Sequence, residues 1–391
     1  MNTSAVREEA SGLVTAAPMA AAPCDAAALA LCTGADASSM SALAGQMSAM
    51  STHSGVMLSN GQRLAPCAQA ANTGTAASGQ DGDHQEDNDP NVKLQLDPSE
   101  LVLLDLLGSG AQAEVYRAIW WRTFGCSTSA ITVAVKRLHG NIGKRAHACE
   151  SLTRDIKHPN LVKCFEATRQ PPCLFVSEYC AGGSLYNRLR DTKNPTLTWC
   201  QKLKILLDVA KGMEYLHSRK PCILHRDLKS CNVLLAKPIT SQSDQPTAKV
   251  ADFGLSRVLM QQDEAWMTRC VGTWRWMAPE VFSSNEYDEK IDVFSFGIVM
   301  FEVFTGEIPY ADTWPLNSGV NPRIGLHIIN GIRPNVQLVQ SGHPTRAVQL
   351  MQKCWAGNPQ ERPDFSVVRQ QLASQLELAT LYSKVKEDTS V

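Results

Sequence analysis

Long apolar runs are missing from this chain of 391 residues. The longest run, Val293–Phe304, contains Ser295, Gly297 and Glu302 and is too short to cross a bilayer. We therefore expect no transmembrane segment. The start of the chain has no basic flank followed by an apolar core, which argues against a secretory signal. The sequence also lacks an internal repeat.

Paired cysteine motifs are absent as well. The chain has 13 cysteines, but none form a C-x-x-C pair or a Cys/His spacing typical of zinc sites. An odd, unpatterned set of this kind is typical of free thiols in a reducing compartment, and it predicts a cytoplasmic location. Disulfide-stabilised secreted folds are disfavoured for the same reason.

Residues 1–90 contain no Phe, Trp or Tyr, although they are rich in Ala, Ser, Gly and Met. An acidic run, QDGDHQEDNDPNVKLQLD, follows at residues 80–97. So little apolar bulk cannot offset the entropy lost on ordering the chain. The sequence therefore predicts that residues 1–96 form a low-complexity, disordered N-terminal region.

Net charge divides the chain in the same place. Residues 1–98 carry −7, and the whole chain carries −1, so the remainder carries about +6. That excess is too mild for its size to indicate a nucleic-acid partner, but it suits a phosphorylated ligand.

Two glycines, Gly108 and Gly110, lie between strand-like segments in LLGSGAQAEVYRA, residues 106–118. A residue without Cβ lets backbone N–H groups approach a phosphate closely. A plain two-glycine hairpin turn would produce the same pattern. The motif is not a dinucleotide fingerprint, because no helix opens after the glycines.

A lysine ends the next strand pattern, ITVAVKRL, at residues 131–138. Alternation places Val133 and Val135 on one face, and Ala134 and Lys136 on the other. A lysine on an inner strand face is costly unless a negative partner meets it. A snorkelling lysine on an edge strand is the alternative.

Polar residues also interrupt an apolar pattern in HRDLKSCNVLL, residues 225–235. Asp227, Lys229 and Asn232 stand where the flanking residues predict a core. Turn chemistry could explain Asp and Asn in isolation. Four further segments follow in order: ADFGLSR at 251–257, MAPE at 277–280, IDVFSFGIVMFEVFTG at 291–306 and CWAGNPQERP at 354–363.

Together these motifs resemble the signature set of eukaryotic protein kinases, and the resemblance covers nearly all of 97–375. It implies an α+β, two-lobed fold with a small β-rich N-lobe containing one helix and a large, mostly helical C-lobe. The domain would span 97–375, with the N-lobe at 97–178 and the C-lobe at 181–375. Residues 376–391 would form a C-terminal tail.

The resemblance also implies roles for individual residues, with ATP and Mg²⁺ as cofactors and proteins as substrates. Asp227 would take the substrate hydroxyl proton, Lys229 would screen the transferred phosphoryl group, and Asn232 and Asp252 would ligate Mg²⁺. Glu280 and Arg362 would form a structural pair. The ATP-binding residues would be Gly108, Ser109, Gly110, Val115, Ala134, Lys136, Glu178, Cys180 and Leu234.

Details of the motifs resemble the tyrosine-kinase-like group, close to Raf-like and mixed-lineage serine/threonine kinases. Lys229, and Thr273 before the MAPE segment, follow the serine/threonine pattern, so tyrosine activity would be secondary. Arg226 would receive an activation-loop phosphate, with Thr268 favoured over Ser256 as its site. That arrangement allows for an upstream activating kinase.

The pattern departs from the family at the helix glutamate that should pair with Lys136. Glu150 is the better candidate, but a gapless match puts Cys149 at that position. A nucleotide-binding pseudokinase or scaffold therefore remains an alternative, and a small-molecule phosphotransferase is a weaker one. A polar insert at residues 236–249 predicts a surface loop.

Overall fold

The computed structural model describes residues 96–110, 113–124, 127–139, 156–168, 173–253, 273–283, 287–313, 323–339 and 344–388. Three residues that the sequence assigns to the site, Glu150, Ser256 and Thr268, lie outside the described residues. The segment before residue 96 does so too.

The smaller part of the fold is an antiparallel five-stranded sheet with the order β1-β2-β3-β5-β4. Its strands are β1 (Leu101–Ser109), β2 (Ala113–Phe124), β3 (Ser127–Leu138), β4 (Cys164–Ala167) and β5 (Leu174–Glu178). In β3, Lys136 pairs with Val115 of β2 on one side and with Phe175 of β5 on the other. The lysine therefore lies on a central strand, which removes the edge-strand alternative.

The expected alternation along β3 is present. Val133 and Val135 are fully buried in the core of the sheet, whereas Ala134 and Lys136 lie on the opposite, partly exposed face. Trp120 of β2 completes this core, and its indole N–H donates to Glu100 over 2.9 Å. One face of the sheet is thus covered by buried apolar side chains, and Lys136 lies on the other face.

The larger part is helical and completes the α+β fold that the sequence predicted. Its helices are α1 (Leu185–Leu189), α2 (Trp199–His217), α3 (Pro279–Ser283), α4 (Lys290–Thr305), α5 (Arg323–Ile329), α6 (Thr345–Cys354) and α7 (Phe365–Asp388). A hairpin of β6 (Val233–Leu235) and β7 (Ala248–Val250) adds a second sheet. Short 3₁₀ turns are Pro98–Glu100, Ser230–Asn232, Trp274–Trp276, Val336–Leu338 and Pro359–Glu361.

Helix α4 lies at the centre of this helical part. Every residue from Ile291 to Phe304 is buried, as expected for a helix that is apolar on all sides. Gly306 ends the helix in the left-handed conformation, with φ at 78°, where a side chain would be strained. Two acids, Asp292 and Glu302, are the charged residues inside this buried stretch.

Helix α7 continues across the predicted end of the domain. It runs without interruption from Phe365 to Asp388, and Leu376 and Ala379 still pack against the main core. The boundary at residue 375 stays a prediction, although the helix crosses it. No helix within the described ranges is long and apolar enough to span a membrane.

The polar insert between β6 and β7 is only partly a surface loop. Ile239 is 3% exposed, and the Gln201 amide donates to the carbonyls of Ser241, Gln242 and Asp244. Gln201 also completes a capping box with Thr198 at the start of α2. The insert is therefore anchored to α2 at several points.

The predicted pair of Glu280 and Arg362 is present and bidentate. Arg362 donates to the two carboxylate oxygens over 2.5 and 2.9 Å, and it also donates to the carbonyls of Ala356 and Lys290. The guanidinium side chain is fully buried. The pair joins the start of α3 to the turn before α7.

We expect Arg362→Ala to lower the free energy of unfolding by about 3–5 kcal/mol, because it leaves the mostly buried Glu280 carboxylate unpaired. The matched control is Arg369→Ala, which removes a more exposed ion pair with Glu214. That change should cost about 1 kcal/mol or less. Urea denaturation measures both. Equal losses of unfolding free energy in the two variants would contradict the claim that burial makes the Arg362–Glu280 pair the stronger one.

Candidate active site

The segment His225–Asp227 is held from below by one buried acid of α4. Asp292 accepts the backbone N–H of His225 and that of Arg226, each over 2.8 Å. It also accepts from His217 over 2.9 Å. Arg226 has φ at 64°, an unfavourable value for a residue with a side chain, so the two backbone bonds fix a strained turn.

Burial pushes the pKa of Asp292 up, but the hydrogen bonds from His217 and from the His225 backbone N–H hold it below its usual value. The contribution of Asp292 to stability is therefore present above the pKa of an unfolded aspartate. It is lost as the pH falls through the lowered pKa. The turn is consequently held by an ionised acid at neutral pH.

His225 packs inside the fold. Its ring is 0% exposed, and Nε2 donates to the Ala251 carbonyl over 2.8 Å. Nδ1 accepts the backbone N–H of Asp227 over 3.3 Å. This histidine therefore joins the Asp227 turn to the residue before Asp252.

Four side chains form the polar floor of the site. Asp227 Oδ2 accepts from Asn232 over 2.9 Å and pairs with Lys229 Nζ at 3.1 Å. Lys229 Nζ also donates to Thr273 Oγ1 over 2.9 Å. The other oxygen of Asp227, Oδ1, is buried and accepts no hydrogen bond within the described part of the chain. A donor from a substrate would satisfy it.

Lys136 and Asp252 meet across the two parts of the fold. Lys136 Nζ donates to Asp252 Oδ1 over 2.8 Å. Burial raises the pKa of Asp252, but the charge and hydrogen bond of Lys136 hold it below its usual value. Asp252 has φ at 62°, so its backbone is strained like that of Arg226. The negative partner expected for Lys136 is thus Asp252 among the described residues.

Asp252 and Asn232 fit a divalent cation with hard oxygen ligands. The Asn232 amide group uses its nitrogen to donate to Asp227, so its oxygen is left to coordinate. Asp252 meets Lys136 through Oδ1, so Oδ2 would be the oxygen that coordinates. No cluster of three His, Cys, Asp or Glu occurs there. The two side chains would therefore hold Mg²⁺ together with ligand phosphates and water.

The glycine segment assigned to nucleotide binding lies at the end of the strand before β2. Gly108, Ser109 and Gly110 form the end of β1 and the turn that follows, where Gly110 N–H donates to the Ala113 carbonyl over 2.8 Å. Val115 is directly opposite Lys136 in the β2–β3 ladder. The glycine hairpin thus continues into the strand next to the lysine.

A small apolar cluster joins the segment after β5 to the β6–β7 hairpin. Cys180, Val162 and Ala251 are buried together, with Leu234 packed against them. Burial raises the pKa of the Cys180 thiol to about 11, so the thiol is neutral and unreactive near pH 7. Leu234 and Cys180 therefore belong to one cluster with Ala251, the residue before Asp252.

Glu178 uses its side chain for a contact that the sequence did not predict. Its carboxylate accepts the backbone N–H of Lys163 over 2.7 Å and pairs with Lys249 over 2.8 Å. Lys249 lies on β7, which leads to Asp252. The segment between the two parts of the fold is thus tied to the strand beneath it.

Comparison with known proteins matches residues 101–372 to the model of the protein tyrosine and serine/threonine kinase family. The chain belongs to this family. The kinase identification made from the sequence motifs, in the tyrosine-kinase-like group, is confirmed.

Several curated kinases are similar to this kinase domain. Serine/threonine-protein kinase STY46 of Arabidopsis thaliana is 36% identical over 273 residues, which are 68% of this chain and 42% of the relative. Serine/threonine-protein kinase VIK of the same plant is 32% identical over 310 residues, 75% of this chain and 66% of the relative. The probable serine/threonine-protein kinase roco7 of Dictyostelium discoideum is 37% identical over 279 residues, 68% of this chain and 10% of the relative. The chain therefore spans less than two thirds of these relatives.

Sequence reasoning missed three acids and bases that hold the kinase site: Asp292, Glu302 and Lys249. The signal for the first two was present, because a charged residue inside an apolar helical run is costly unless it has a partner. Lys249 gave no comparable signal, because a lysine in a short strand is commonly exposed. The guanidinium of Arg226 lies over the Tyr287 ring, 5.7 Å from its centroid, and its role as a phosphate receiver stays a prediction.

We expect Asp292→Asn to lower the free energy of unfolding by about 3 kcal/mol or more, because an amide NH₂ would face a backbone N–H in a buried site. The control, Asp105→Asn, alters a more exposed pair with Arg117 and should cost about 1 kcal/mol or less. Chemical denaturation measures both. Unchanged stability of Asp292→Asn would contradict its anchoring role.

Proposed function

We propose that this chain is a serine/threonine protein kinase that transfers the γ-phosphoryl group of ATP to protein hydroxyl groups. The arrangement of Asp227, Lys229, Asn232 and Thr273 is the observation that carries the proposal. It supplies a proton acceptor, a positive charge and an oxygen ligand within one connected set of hydrogen bonds. Phosphoryl transfer needs this kind of positioning and charge neutralisation.

The nucleotide would bind between the sheet and the β6–β7 hairpin. Lys136 would hold the α- and β-phosphates, and the backbone of Gly108, Ser109 and Gly110 would cover them. Val115, Ala134 and Leu234 would enclose the adenine. The backbone of Glu178–Cys180 would read the adenine edge, with Ser177 as the small residue before it.

Protein kinase domains use ATP and Mg²⁺ in general, and Asp252 and Asn232 would hold the cation here. A bound cation would offset the negative charge of the phosphates during the transfer. Asp252 is suited to this role because its lowered pKa keeps it ionised at neutral pH. Asn232 is suited because its amide is oriented by Asp227.

Asp227 would orient the substrate hydroxyl and accept its proton as the oxygen bonds to the γ-phosphorus. Its Oδ1 lacks a donor within the described chain, so it can accept the hydroxyl O–H. The bond from the γ-phosphorus to ADP breaks in the same transfer. Lys229 would lie next to the transferred group and offset its negative charge.

Specificity for serine and threonine is supported by the contact between Lys229 and Thr273. The similar kinases named above are also described as serine/threonine kinases. A further relative of Dictyostelium discoideum is named a dual specificity protein kinase. Secondary tyrosine activity is therefore part of the proposal. A cytoplasmic location stays a prediction from the cysteine pattern.

Replacing Asp252 with Asn should lower phosphorylation of myelin basic protein by roughly 10²–10³-fold, since it removes the charge that holds the cation. Lys136→Met should cause a similar loss. The control is Lys193→Met, an exposed lysine far from these residues in sequence, which should keep full activity. Radiolabelled ATP measures transfer, and hydrolysis of the product should give mainly phosphoserine and phosphothreonine.

Three outcomes of that assay would contradict the proposal or its stated specificity. Equal signal from the wild type and Asp252→Asn would mean that the phosphate came from a contaminant. ATP binding by the wild type without any transfer would favour a pseudokinase. Mainly phosphotyrosine in the product would overturn the proposed specificity.

We also infer that phosphorylation of the activation loop assembles the active form. Arg226 would receive the phosphate, as a charge-assisted clamp, from Thr268 or else Ser256. Glu150 would pair with Lys136 in that form, in place of Asp252. An upstream kinase or the chain itself would add the phosphate.

A phosphopeptide map of active chain should therefore contain phosphate at Thr268. Thr268→Ala should lower activity, and treatment of the wild type with a phosphatase should do the same. Full activity of a chain without phosphate at Thr268 and Ser256 would show that the loop needs no phosphate.

A further inference from the structure

The last turns of α7 carry a row of large apolar side chains on the solvent side of the helix. Leu378, Leu381, Tyr382 and Val385 are 54%, 60%, 64% and 59% exposed. We call these four residues the α7 stripe. The match to the kinase family ends at residue 372, so the stripe lies outside the part of the chain that the family model covers.

The stripe follows one line along α7. Its members are spaced i, i+3, i+4 and i+7, the spacing by which residues of an α-helix share one face. A different side of the same helix packs against the core of the larger part, through Leu372, Leu376 and Ala379. The end of α7 therefore has two apolar sides, one turned to the core and one turned to solvent.

A contiguous row of this kind is unusual on a protein surface. Single exposed apolar residues are common, whereas contiguous apolar patches mark sites of interaction. All four side chains of the stripe are more than half exposed. Removing such surface from water is favourable by about 25 cal/mol per Å², so the stripe gains from being covered.

Two exposed residues of opposite charge flank the stripe on one side. Glu377 directly precedes Leu378, and Lys384 directly precedes Val385. They are seven positions apart, so they lie on the same side of the stripe, one near each end. In a heptad, Leu378 and Val385 would be a positions, Leu381 would be a d position, and the two charged residues would be g positions.

These charges make the stripe complementary to a second copy of itself in one orientation. Two α7 helices can pack antiparallel, with Leu378 of each copy against Val385 of the other. The same two-fold axis then brings Glu377 of each copy beside Lys384 of the other. A parallel pair would bring Glu377 beside Tyr382 and form no ion pair there. The charge pattern therefore favours the antiparallel pair.

The rest of the fold leaves room for such a pair. The first turns of α7 are packed into the domain, where Phe365 and Val368 are buried, whereas the stripe lies in the last turns. Two copies joined antiparallel by their last turns would have their domains at opposite ends of the pair. The last turns are also held to the domain, because Cys200 Sγ of α2 lies 3.7 Å from Ser383 Oγ.

Two other occupants fit the stripe less well. A helix that lies on a membrane surface is typically basic on its polar side. Residues 377–388 carry more acids than bases: Glu377, Glu387, Asp388, Lys384 and Lys386. Residues 1–90 of the same chain contain no aromatic residue and no sustained helical period, so they offer no matching apolar row.

We propose that the α7 stripe is a self-association surface, at which two copies of this chain pair through antiparallel α7 helices. Four side chains from each copy form a contact at the small end of specific interfaces, which bury about 1,200–2,000 Å². The pair is therefore a reversible dimer, with a Kd on the order of 10 μM. The pairing does not depend on phosphoryl transfer.

Sedimentation velocity of the full chain, from about 1 to about 300 μM, should show the mass rising from one copy to two. Leu381→Glu should stay monomeric over the same range, because the pair would have to bury a carboxylate at its centre. The matched control is Val367→Glu, which places the same charge on an exposed site of α7 outside the stripe. This control should dimerise like the wild type.

A charge swap tests the orientation of the two helices. Glu377→Lys or Lys384→Glu alone would place like charges together twice in the pair, and each should raise the Kd about ten-fold. The double variant restores opposite charges, so its Kd should return to within about three-fold of the wild type. Glu307→Lys, at an exposed position beyond α4, is the control and should leave the Kd unchanged.

Melting temperatures keep the test independent of misfolding. At low concentration Leu381→Glu should melt within about 2 °C of Val367→Glu, because both changes are at exposed sites. If Leu381→Glu fails to fold, the charge-swap series decides alone. A dimer that survives Leu381→Glu would place the interface elsewhere, and a double swap without recovery would contradict the antiparallel pair. Either result would overturn the proposal.

A wild type that stays monomeric at every concentration would also overturn it. If Leu381→Glu then melts well below Val367→Glu, a segment of the same chain covers the stripe. If the monomer instead binds vesicles of phosphatidylcholine and phosphatidylserine, and Leu381→Glu does not, the occupant is a membrane. None of these measurements requires catalysis, so failure of the kinase proposal and failure of this one are distinguishable.

Discussion

The hydrogen bonds from two consecutive backbone N–H groups to Asp292 are the contact on which the site depends. They hold Arg226 at positive φ, a conformation that costs about 1–3 kcal/mol in a residue with a side chain. Because that turn sets the direction of Asp227, the position of the proposed proton acceptor is determined in the buried helix α4. The chemistry of the site thus begins in the core of the larger part of the fold.

The same helix supports the site a second time at its other end. Asp292 and Glu302 are ten positions apart in α4. Both are acids in a helix whose other buried residues are mostly apolar. Asp292 accepts the backbone N–H groups of the irregular segment His225–Arg226. Glu302 accepts from Ser230 and Trp276, each of which lies in a single 3₁₀ turn. An irregular segment cannot satisfy its backbone and polar groups internally, so it needs fixed partners. Buried acids on a rigid helix provide them.

The fold and most of the site could be predicted from the sequence because the relevant residues are unusual for their surroundings. Lys136 stands out on a strand, and Asp227 and Asn232 stand out between apolar runs. Lys249 could not be predicted, since its partner Glu178 is 71 residues away and only the folded chain brings them together. The boundary at residue 375 stays a prediction, and α7 runs across it because its exposed turns carry mixed apolar and charged residues with no Gly or Pro to stop the helix.

The pairing of Lys136 with Asp252 shows how the same charges can serve two arrangements. The two residues neutralise one another across the two parts of the fold at 2.8 Å. A nucleotide with a divalent cation would offer a negative phosphate to Lys136 and a positive ion to Asp252. Binding would therefore replace the Lys136–Asp252 ion pair with two new contacts, lysine to phosphate and aspartate to cation. The lysine therefore never has to lie unpaired on its inner strand face. Under the proposed function, this exchange would keep the lysine paired both with Asp252 and with phosphate in its place.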